Sequence, residues 1–276
     1  MCVGRDGHTL FAADFYNNVV RRIEMSSKGT TNVYTCEDGY YIVDIVCVRE
    51  MAGAAQAFAA LFESKEKPHT YEVSVLEESG DHARLAVTQR CALDETSERF
   101  VTGNLLELCS GELVARAYAM MNVHVWRRGD QTARKLHIPC EHYQTYGMCV
   151  MENVLGKQEI IALAFYEGKS IGMFAIEQNN LVSIKYIQLE FFPSRLVWIA
   201  SKQTLLVSKD GGNTGEMCAL RLMESDVTSQ TATLDGVQNI IVSSWCVLRD
   251  ETGGGCEHAL ALFDYNTMSV MKFEFE

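Results

Sequence analysis

A four-residue motif recurs six times along this chain of 276 residues, and each copy has strand-like segments around it. The copies share Ala or Val as their third residue and read Leu10-Phe11-Ala12-Ala13, Ala57-Phe58-Ala59-Ala60, Leu113-Val114-Ala115-Arg116, Ile160-Ile161-Ala162-Leu163, Leu205-Leu206-Val207-Ser208 and Ala259-Leu260-Ala261-Leu262. Aligned on their third residues, the copies are 47, 56, 47, 45 and 54 positions apart. Repeats of about 40–50 residues built from short strands are typical of propeller blades. The spacing therefore predicts an all-β fold, a β-propeller of about six four-stranded blades.

Each repeat is predicted to form four short strands, of which the motif supplies the second. In the second repeat, an apolar run from Tyr41 to Val48 precedes the motif, and polar and apolar residues alternate after it from Tyr71 to Val75. The predicted blades span approximately residues 1–36, 40–90, 99–138, 145–189, 194–233 and 238–276. Only 3 prolines occur and no Gly/Ser-rich linker interrupts the chain, so residues 1–276 are predicted to form a single domain.

The first and last repeats are shorter than the others. The chain begins with the tail of a first strand before an Asp6-Gly7 turn, and it finishes in a third strand at Phe273 to Phe275. Open strand edges invite pairing, so a closed ring needs strands from both ends of the chain. The pattern leaves open an incomplete ring, a ring of seven blades, a shortened form of a longer chain, and a strand supplied by a partner.

The charge balance is acidic, with a formal net charge of -12. Binding to a phosphate backbone needs a concentrated Lys/Arg surface, and the best basic candidates here are two pairs, Arg21-Arg22 and Arg127-Arg128. The composition therefore argues against direct nucleic-acid binding, although contact through a larger complex stays open.

Ten cysteines are present without any C-x-x-C pair, and Cys47, Cys109 and Cys149 lie in or beside apolar strand-like runs. Unpaired buried cysteines behave as small hydrophobic residues and indicate a reducing compartment. No signal-peptide pattern opens the chain, and no window approaches 18 apolar residues. We therefore expect an intracellular protein of the cytoplasm or nucleus that does not associate with a membrane.

Several patterns that carry chemistry elsewhere are weak here. His137, Cys140, His142 and Cys149 match no compact zinc module, because their spacing leaves the last cysteine in a different strand. No G-x-S-x-G elbow occurs, and the glycine-rich stretch at 210–215 lacks the Lys-Ser/Thr of a phosphate-binding loop. The sequence predicts no metal site and no cofactor.

Two segments point to a family of propellers. Leu10 to Ile23 resembles one NHL or WD40 repeat, and Val123-His124-Val125-Trp126 is similar to the third strand of a WD40 blade, which often ends in Trp. The likeness covers nearly the whole chain as architecture, but there is no regular Gly-His pair and no Trp-Asp dipeptide. It implies a divergent propeller of the WD40/NHL type, and with it a docking platform without catalytic activity.

An enzyme is the first alternative. Propeller enzymes place acidic residues at matching blade positions around a central channel, often with a cation. Acids follow five of the six motif strands: Asp14, Glu63, Glu167, Asp210 and Asp264. Strand ends before turns favour Asp and Glu in any case, so no catalytic residue is assigned.

Aromatic residues mark the preferred site. They concentrate in the connections between repeats and in the turns after the second strands, which share one rim of a propeller. The set consists of Tyr16, Tyr40, Tyr41, His142, Tyr143, Tyr146, Phe191, Phe192 and Tyr265. Exposed aromatic side chains on one face are typical of protein-binding hot spots.

These observations favour a scaffold or adaptor subunit that binds a protein partner across its loop-bearing rim. Strand addition at the incomplete last blade is a further mode of binding. The alternatives are a propeller enzyme with an acidic central site, and an accessory subunit of a nucleic-acid-modifying complex.

Overall fold

The computed structural model describes residues 1–27, 29–48, 56–78, 84–96, 103–117, 120–140, 144–209, 216–222, 227–233, 242–250, 256–263 and 269–273. These residues are almost entirely strands and turns, with one short 3-10 helix at Ala200–Lys202. No helix among them has the length and apolar character needed to cross a membrane. The chain divides into two compact units, a first unit of Met1–Ile138 and a second unit of Pro139–Glu276.

The first unit contains three four-stranded sheets, each with its strands in chain order. Their strands are β1 (Cys2–Val3), β2 (Thr9–Asp14), β3 (Val19–Glu24) and β4 (Thr30–Thr35), then β5 (Tyr40–Val48), β6 (Ala57–Ser64), β7 (Thr70–Glu78) and β8 (Leu85–Thr96), then β9 (Gly103–Glu107), β10 (Leu113–Ala117), β11 (Asn122–Trp126) and β12 (Arg134–His137).

The second unit contains two further four-stranded sheets and one sheet with three described strands. Their strands are β13 (Thr145–Val154), β14 (Lys157–Phe165), β15 (Ser170–Glu177) and β16 (Asn180–Gln188), then β17 (Pro193–Ile199), β18 (Thr204–Lys209), β19 (Glu216–Leu222) and β20 (Val227–Thr233), then β21 (Val242–Asp250), β22 (Cys256–Phe263) and β23 (Ser269–Phe273).

The predicted fold class is confirmed: the chain is all-β and has the antiparallel, sequentially ordered sheets of a β-propeller. Five sheets have four strands, fewer than the six predicted, because the last described sheet has three. That shortfall and the two-residue β1 follow the predicted pattern of short first and last repeats. The assignment of residues 1–276 to one domain stays a prediction.

The motif strands lie between packed sheets, which explains their small residues. Ala59 of β6 and Ala115 of β10 are buried in one hydrophobic cluster of the first unit. Ala162 of β14 and Val207 of β18 share the corresponding cluster of the second unit. A larger side chain at these positions would overfill a close-packed interface, so the recurrent Ala and Val are a packing requirement.

A β-bulge recurs near the start of the first strand in four sheets. The register shifts between Ile42 and Asp44, between Thr145 and Gly147, between Pro193 and Leu196, and between Val242 and Ser244. Bulges bend a strand and increase its twist. The fourth strands β4, β8 and β16 also show register shifts against their neighbours.

One bulge meets a glycine of the preceding sheet. The backbone around Ser194 and Arg195 lies so close to Gly147 that a Cβ there would be 2.2 Å from the Ser194 carbonyl oxygen and 3.0 Å from the Arg195 Cα. Only glycine permits this approach, so the sequence of β13 is constrained by the shape of β17.

Cys36 and Cys149 are free thiols. Cys149 is buried, as its apolar strand predicts, but Cys109 is exposed because it lies in the turn after β9. Burial raises the pKa of the Cys36 thiol to about 11, which leaves it protonated at neutral pH.

Candidate functional site

Two clusters of partly exposed aromatic side chains carry the candidate site, one in each unit. The first is the Tyr16 patch, formed by Phe15, Tyr16, Tyr41 and Lys65. Tyr16 is 69% exposed and Tyr41 is 37% exposed. The Phe15 ring lies 5.6 Å from the Tyr16 ring and 5.0 Å from the Tyr41 ring, and Lys65 Nζ is 4.7 Å from the centre of the Tyr41 ring. The turn after β2 and the start of β5 thus present one aromatic surface.

Asn18 fixes this arrangement. Its backbone has a positive φ of 58°, a conformation that asparagine tolerates in a tight turn. Its Nδ2 donates to the Tyr40 carbonyl at 2.8 Å, and its Oδ1 accepts from the Ile42 N–H at 3.1 Å. One side chain therefore ties the turn between β2 and β3 to the first strand of the next sheet, on either side of Tyr41.

Tyr40 does not belong to the Tyr16 patch. Successive side chains of a strand point to opposite faces, so Tyr40 and Tyr41 diverge. The Tyr40 ring lies 6.4 Å from the Phe62 ring and 5.7 Å from the Arg90 guanidinium carbon. The two tyrosines therefore do not share one surface, and Tyr40 packs in a separate cluster with Phe62 and Arg90. That both tyrosines bind a partner stays a prediction.

The second cluster is the Tyr166 patch, formed by Tyr146, Tyr166, Lys169 and Phe192. The Tyr166 ring lies 4.6 Å from the Tyr146 ring and stacks on the Phe192 ring at 4.8 Å with an angle of 27°. Lys169 Nζ is 4.6 Å from the centre of the Phe192 ring, and Phe192 is 38% exposed. The patch is a preassembled aromatic stack with an ammonium group on it.

Phe191 points away from this stack. It packs partly buried against the core of the second unit, and Lys209 Nζ lies 5.1 Å from its ring centre. Of the two adjacent phenylalanines, one therefore anchors the connection before β17 and the other faces solvent. His142, Tyr143 and Tyr265 lie outside the described residues.

The two patches occupy equivalent positions in their own sheets. Each combines the turn after a second strand with the beginning of a following first strand, and each has a lysine over a ring. Sequence reasoning missed Phe15, Tyr166 and the lysines. One signal was present: Tyr166 follows the third motif residue by four positions, as Tyr16 does.

The acids proposed for a central site have separate local roles where they are described. Asp14 accepts hydrogen bonds from the Asn17 N–H at 3.1 Å and from Arg21 Nε at 2.6 Å. Glu63 accepts from the His69 N–H at 2.9 Å, across the turn before β7. Glu167 is exposed, and Asp210 and Asp264 lie outside the described residues.

Asp14 and Glu63 have net pKa shifts in opposite directions, although burial raises the pKa of both. Burial raises the pKa of Asp14, but hydrogen bonds from Asn17 and Arg21 outweigh that effect and lower it. Burial raises the pKa of Glu63, and the His69 hydrogen bond only reduces the rise. Glu63 Oε2 is buried without a hydrogen-bond partner among the described residues, which is consistent with an acid that is stabilised in its neutral form.

We expect Glu63→Gln to raise the melting temperature at pH 8 and to leave it unchanged near pH 4. The folded state raises the pKa of Glu63, so the stabilising contribution of its neutral form is present at low pH and disappears as the pH rises through that value. Glutamine keeps the acceptor for the His69 N–H and removes the titration. Thermal unfolding at several pH values measures the difference.

Asp14→Asn is the matched comparison. The Asp14 carboxylate has a lowered pKa, so replacing it should lower the melting temperature at neutral pH. This loss of stability should shrink as the pH falls through the lowered pKa. The same pH dependence for both variants would contradict the opposite environments of the two acids.

Among the described residues, no three His, Cys, Asp or Glu side chains come together as metal ligands. The patches instead offer flat, partly exposed rings and ammonium groups. Such surfaces bind through stacking, apolar contact and attraction of carboxylates.

The fold and the two patches define a β-propeller with aromatic loop surfaces, and solved structures confirm the fold. The chain is similar to the major allergen Mala s 1 of Malassezia sympodialis, with 6% identity and a TM-score of 0.66 over 93% of this chain and 84% of that one. A Bacteroides uniformis protein provisionally assigned as a 6-phosphogluconolactonase gives 12% identity and a TM-score of 0.56 over 96% and 82%. A chain of the mitotic checkpoint complex gives 8% identity and a TM-score of 0.54 over 94% and 84%.

At these identities the likeness shows the β-propeller fold alone. No protein-family model matches the sequence, and no curated protein matches it.

Proposed function

We propose that the chain is a non-catalytic scaffold or adaptor subunit of the WD40/NHL type, which works inside the cell and binds a protein partner through its aromatic patches. The observation that carries this proposal is the partly exposed stack of Tyr166 and Phe192, with Lys169 over the Phe192 ring. Large aromatic side chains at the centre of a surface supply most of the binding energy of protein interfaces.

Within each patch, the aromatic rings are already in contact. A partner therefore meets a surface whose side chains have little rotational freedom left to lose, which reduces the entropic cost of binding. The lysines over the rings favour a partner segment with carboxylates beside its apolar anchors.

Other findings support this class of function over the alternatives. One structural neighbour is a chain of the mitotic checkpoint complex, which is a protein assembly. The neighbour provisionally assigned as a 6-phosphogluconolactonase keeps an enzyme as the second candidate. The hydrogen bonds of Asp14 and Glu63 favour a scaffold over an enzyme, because both carboxylates accept backbone N–H groups of the turns that follow them. The net charge of -12 argues against direct contact with nucleic acid.

Phe192→Ala should weaken binding of a stoichiometric protein partner by about tenfold or more, because it removes the exposed ring of the stack. The tagged full-length chain, expressed in its native host, is purified and separated by size, and the amount of co-purified partner is compared between variants. Val182→Ala is the control, since Val182 is a 38% exposed apolar residue of the same unit outside the patch.

A full-length chain that remains monomeric and without a partner at micromolar concentration would contradict the proposal. Equal partner binding by the Phe192 variant would instead exclude the Tyr166 patch as the binding surface.

A further inference from the structure

The Tyr16 patch and the Tyr166 patch repeat one arrangement of side chains. In each patch a central ring lies beside two others, and a lysine ammonium group lies over one of the outer rings. The central rings are those of Phe15 and Tyr166. Tyr41 and Phe192 carry the ammonium groups, at 4.7 Å in the Tyr16 patch and 4.6 Å in the Tyr166 patch. The chain therefore contains two copies of one kind of surface.

The ammonium groups of the two patches have no acidic partner. Among the described residues, neither Lys65 nor Lys169 forms an ion pair with a carboxylate. Lys157 of the second unit, by comparison, has its Nζ 2.6 Å from Glu177 Oε1. Carboxylates are not scarce, because the chain has 36 acidic residues against 24 Lys and Arg. Each patch thus keeps one positive charge that the described part of the chain does not neutralise.

The local charge of the patches is opposite to that of the whole chain. A net charge of -12 would by itself favour a basic partner. Charges farther away than about 10 Å are largely screened at roughly 0.1 M ionic strength, so the groups next to a bound segment decide its preference. The charge that lies over the Tyr41 and Phe192 rings is an ammonium group. A carboxylate can pair with it while a neighbouring apolar side chain packs on the rings.

We propose that each patch binds one copy of the same acidic segment, a peptide with an aromatic side chain between carboxylates, so that the protein has two sites for it. The proposal rests on the proposed function, because it concerns the same surfaces, and it adds the number of sites and the charge that they select. The rings and the lysine of each patch all belong to one compact unit, so neither site needs the other to be complete.

Two synthetic peptides test the charge of the segment. One has a tryptophan between two pairs of glutamates, and in the other glutamine replaces every glutamate; both have blocked ends. Each is titrated into the full-length protein with ¹³C-labelled tyrosine and phenylalanine rings, where Tyr41 reports on one patch and Phe192 on the other. Both signals should shift saturably, and the glutamate peptide should bind about fivefold more tightly at each patch, the effect of one partly exposed ion pair.

Lys65→Met and Lys169→Met test which charges cause the preference. Methionine keeps a long unbranched apolar side chain and removes the charge. Lys65→Met should abolish the preference for the glutamate peptide at Tyr41 only. Lys169→Met should abolish it at Phe192 only. Lys202→Met, the control, removes an exposed lysine outside both patches and should leave the preference unchanged at both rings.

Equal affinity of the two peptides for the unsubstituted protein would overturn the proposal, as would a preference that survives both patch substitutions. A saturable shift at only one of the two rings would exclude the second site, and no shift at either ring would exclude both. These measurements do not need the natural partner. If a partner co-purifies and is lost in Phe192→Ala while the peptides bind equally, the proposed function stands and the acidic segment is excluded.

Discussion

Gly147→Ala should lower the free energy of unfolding by about 3 kcal/mol, because the new Cβ has no room in the folded state. That atom would lie 2.2 Å from the Ser194 carbonyl oxygen, which belongs to the backbone of the bulged strand β17. A flexible side chain could rotate away, but here either β13 or β17 must move. Urea unfolding followed by far-ultraviolet circular dichroism measures the loss.

Gly29→Ala is the control for the glycine substitution. A Cβ at position 29 would meet only the Ser27 Oγ, at 3.1 Å, on an exposed turn. The expected change is within about 0.5 kcal/mol. Equal stability of the Gly147 and Gly29 variants would show that the β13–β17 contact is looser than the structure indicates.

Trp126→Ala should cost about 3–5 kcal/mol, the range for removing a buried aromatic side chain. Trp126 ends β11, is 2% exposed, and shares a hydrophobic cluster with Leu105 and Leu113. Its Nε1 also donates to the Asp130 carbonyl at 2.9 Å, so truncation leaves both a cavity and an unused acceptor. The same denaturation experiment applies.

Trp126→Phe separates the two contributions. Phenylalanine keeps most of the ring volume but loses the donor to Asp130, so about 1 kcal/mol of the loss should remain from the hydrogen bond. Met121→Ala, at a 51% exposed position next to β11, should change stability by no more than about 0.5 kcal/mol. A loss below about 1.5 kcal/mol for Trp126→Ala would contradict its role as a core residue.

The predicted strands agree best with the structure where both faces are buried. Leu113 to Arg116 was predicted as a second strand and lies within β10 (Leu113–Ala117), whose residues are all buried. Edge strands agree less well. β8 (Leu85–Thr96) has little signal in the sequence, because a largely exposed outer strand needs no continuous apolar run.

The candidate site was harder to predict, for a geometric reason. Alternation assigns side chains to faces only while the register is regular, and the bulge between Ile42 and Asp44 breaks it just after Tyr41. Which tyrosine faces the turn at Phe15 therefore depends on an extra residue that has no signature in composition. Tyr40 also contacts Arg90, 50 positions away along the chain, and local patterns do not reveal such a contact.

The irregular outer strands have a consequence for the behaviour of the protein at high concentration. Fibrils grow when a flat strand edge templates the hydrogen bonding of the next chain. β4, β8 and β16 lie at sheet edges and each carries a bulge, so the N–H and C=O groups along those edges do not form an even ladder. An incoming strand would first have to straighten them, and these edges therefore resist cross-β polymerisation even though Val182 and Tyr186 of β16 are open to solvent.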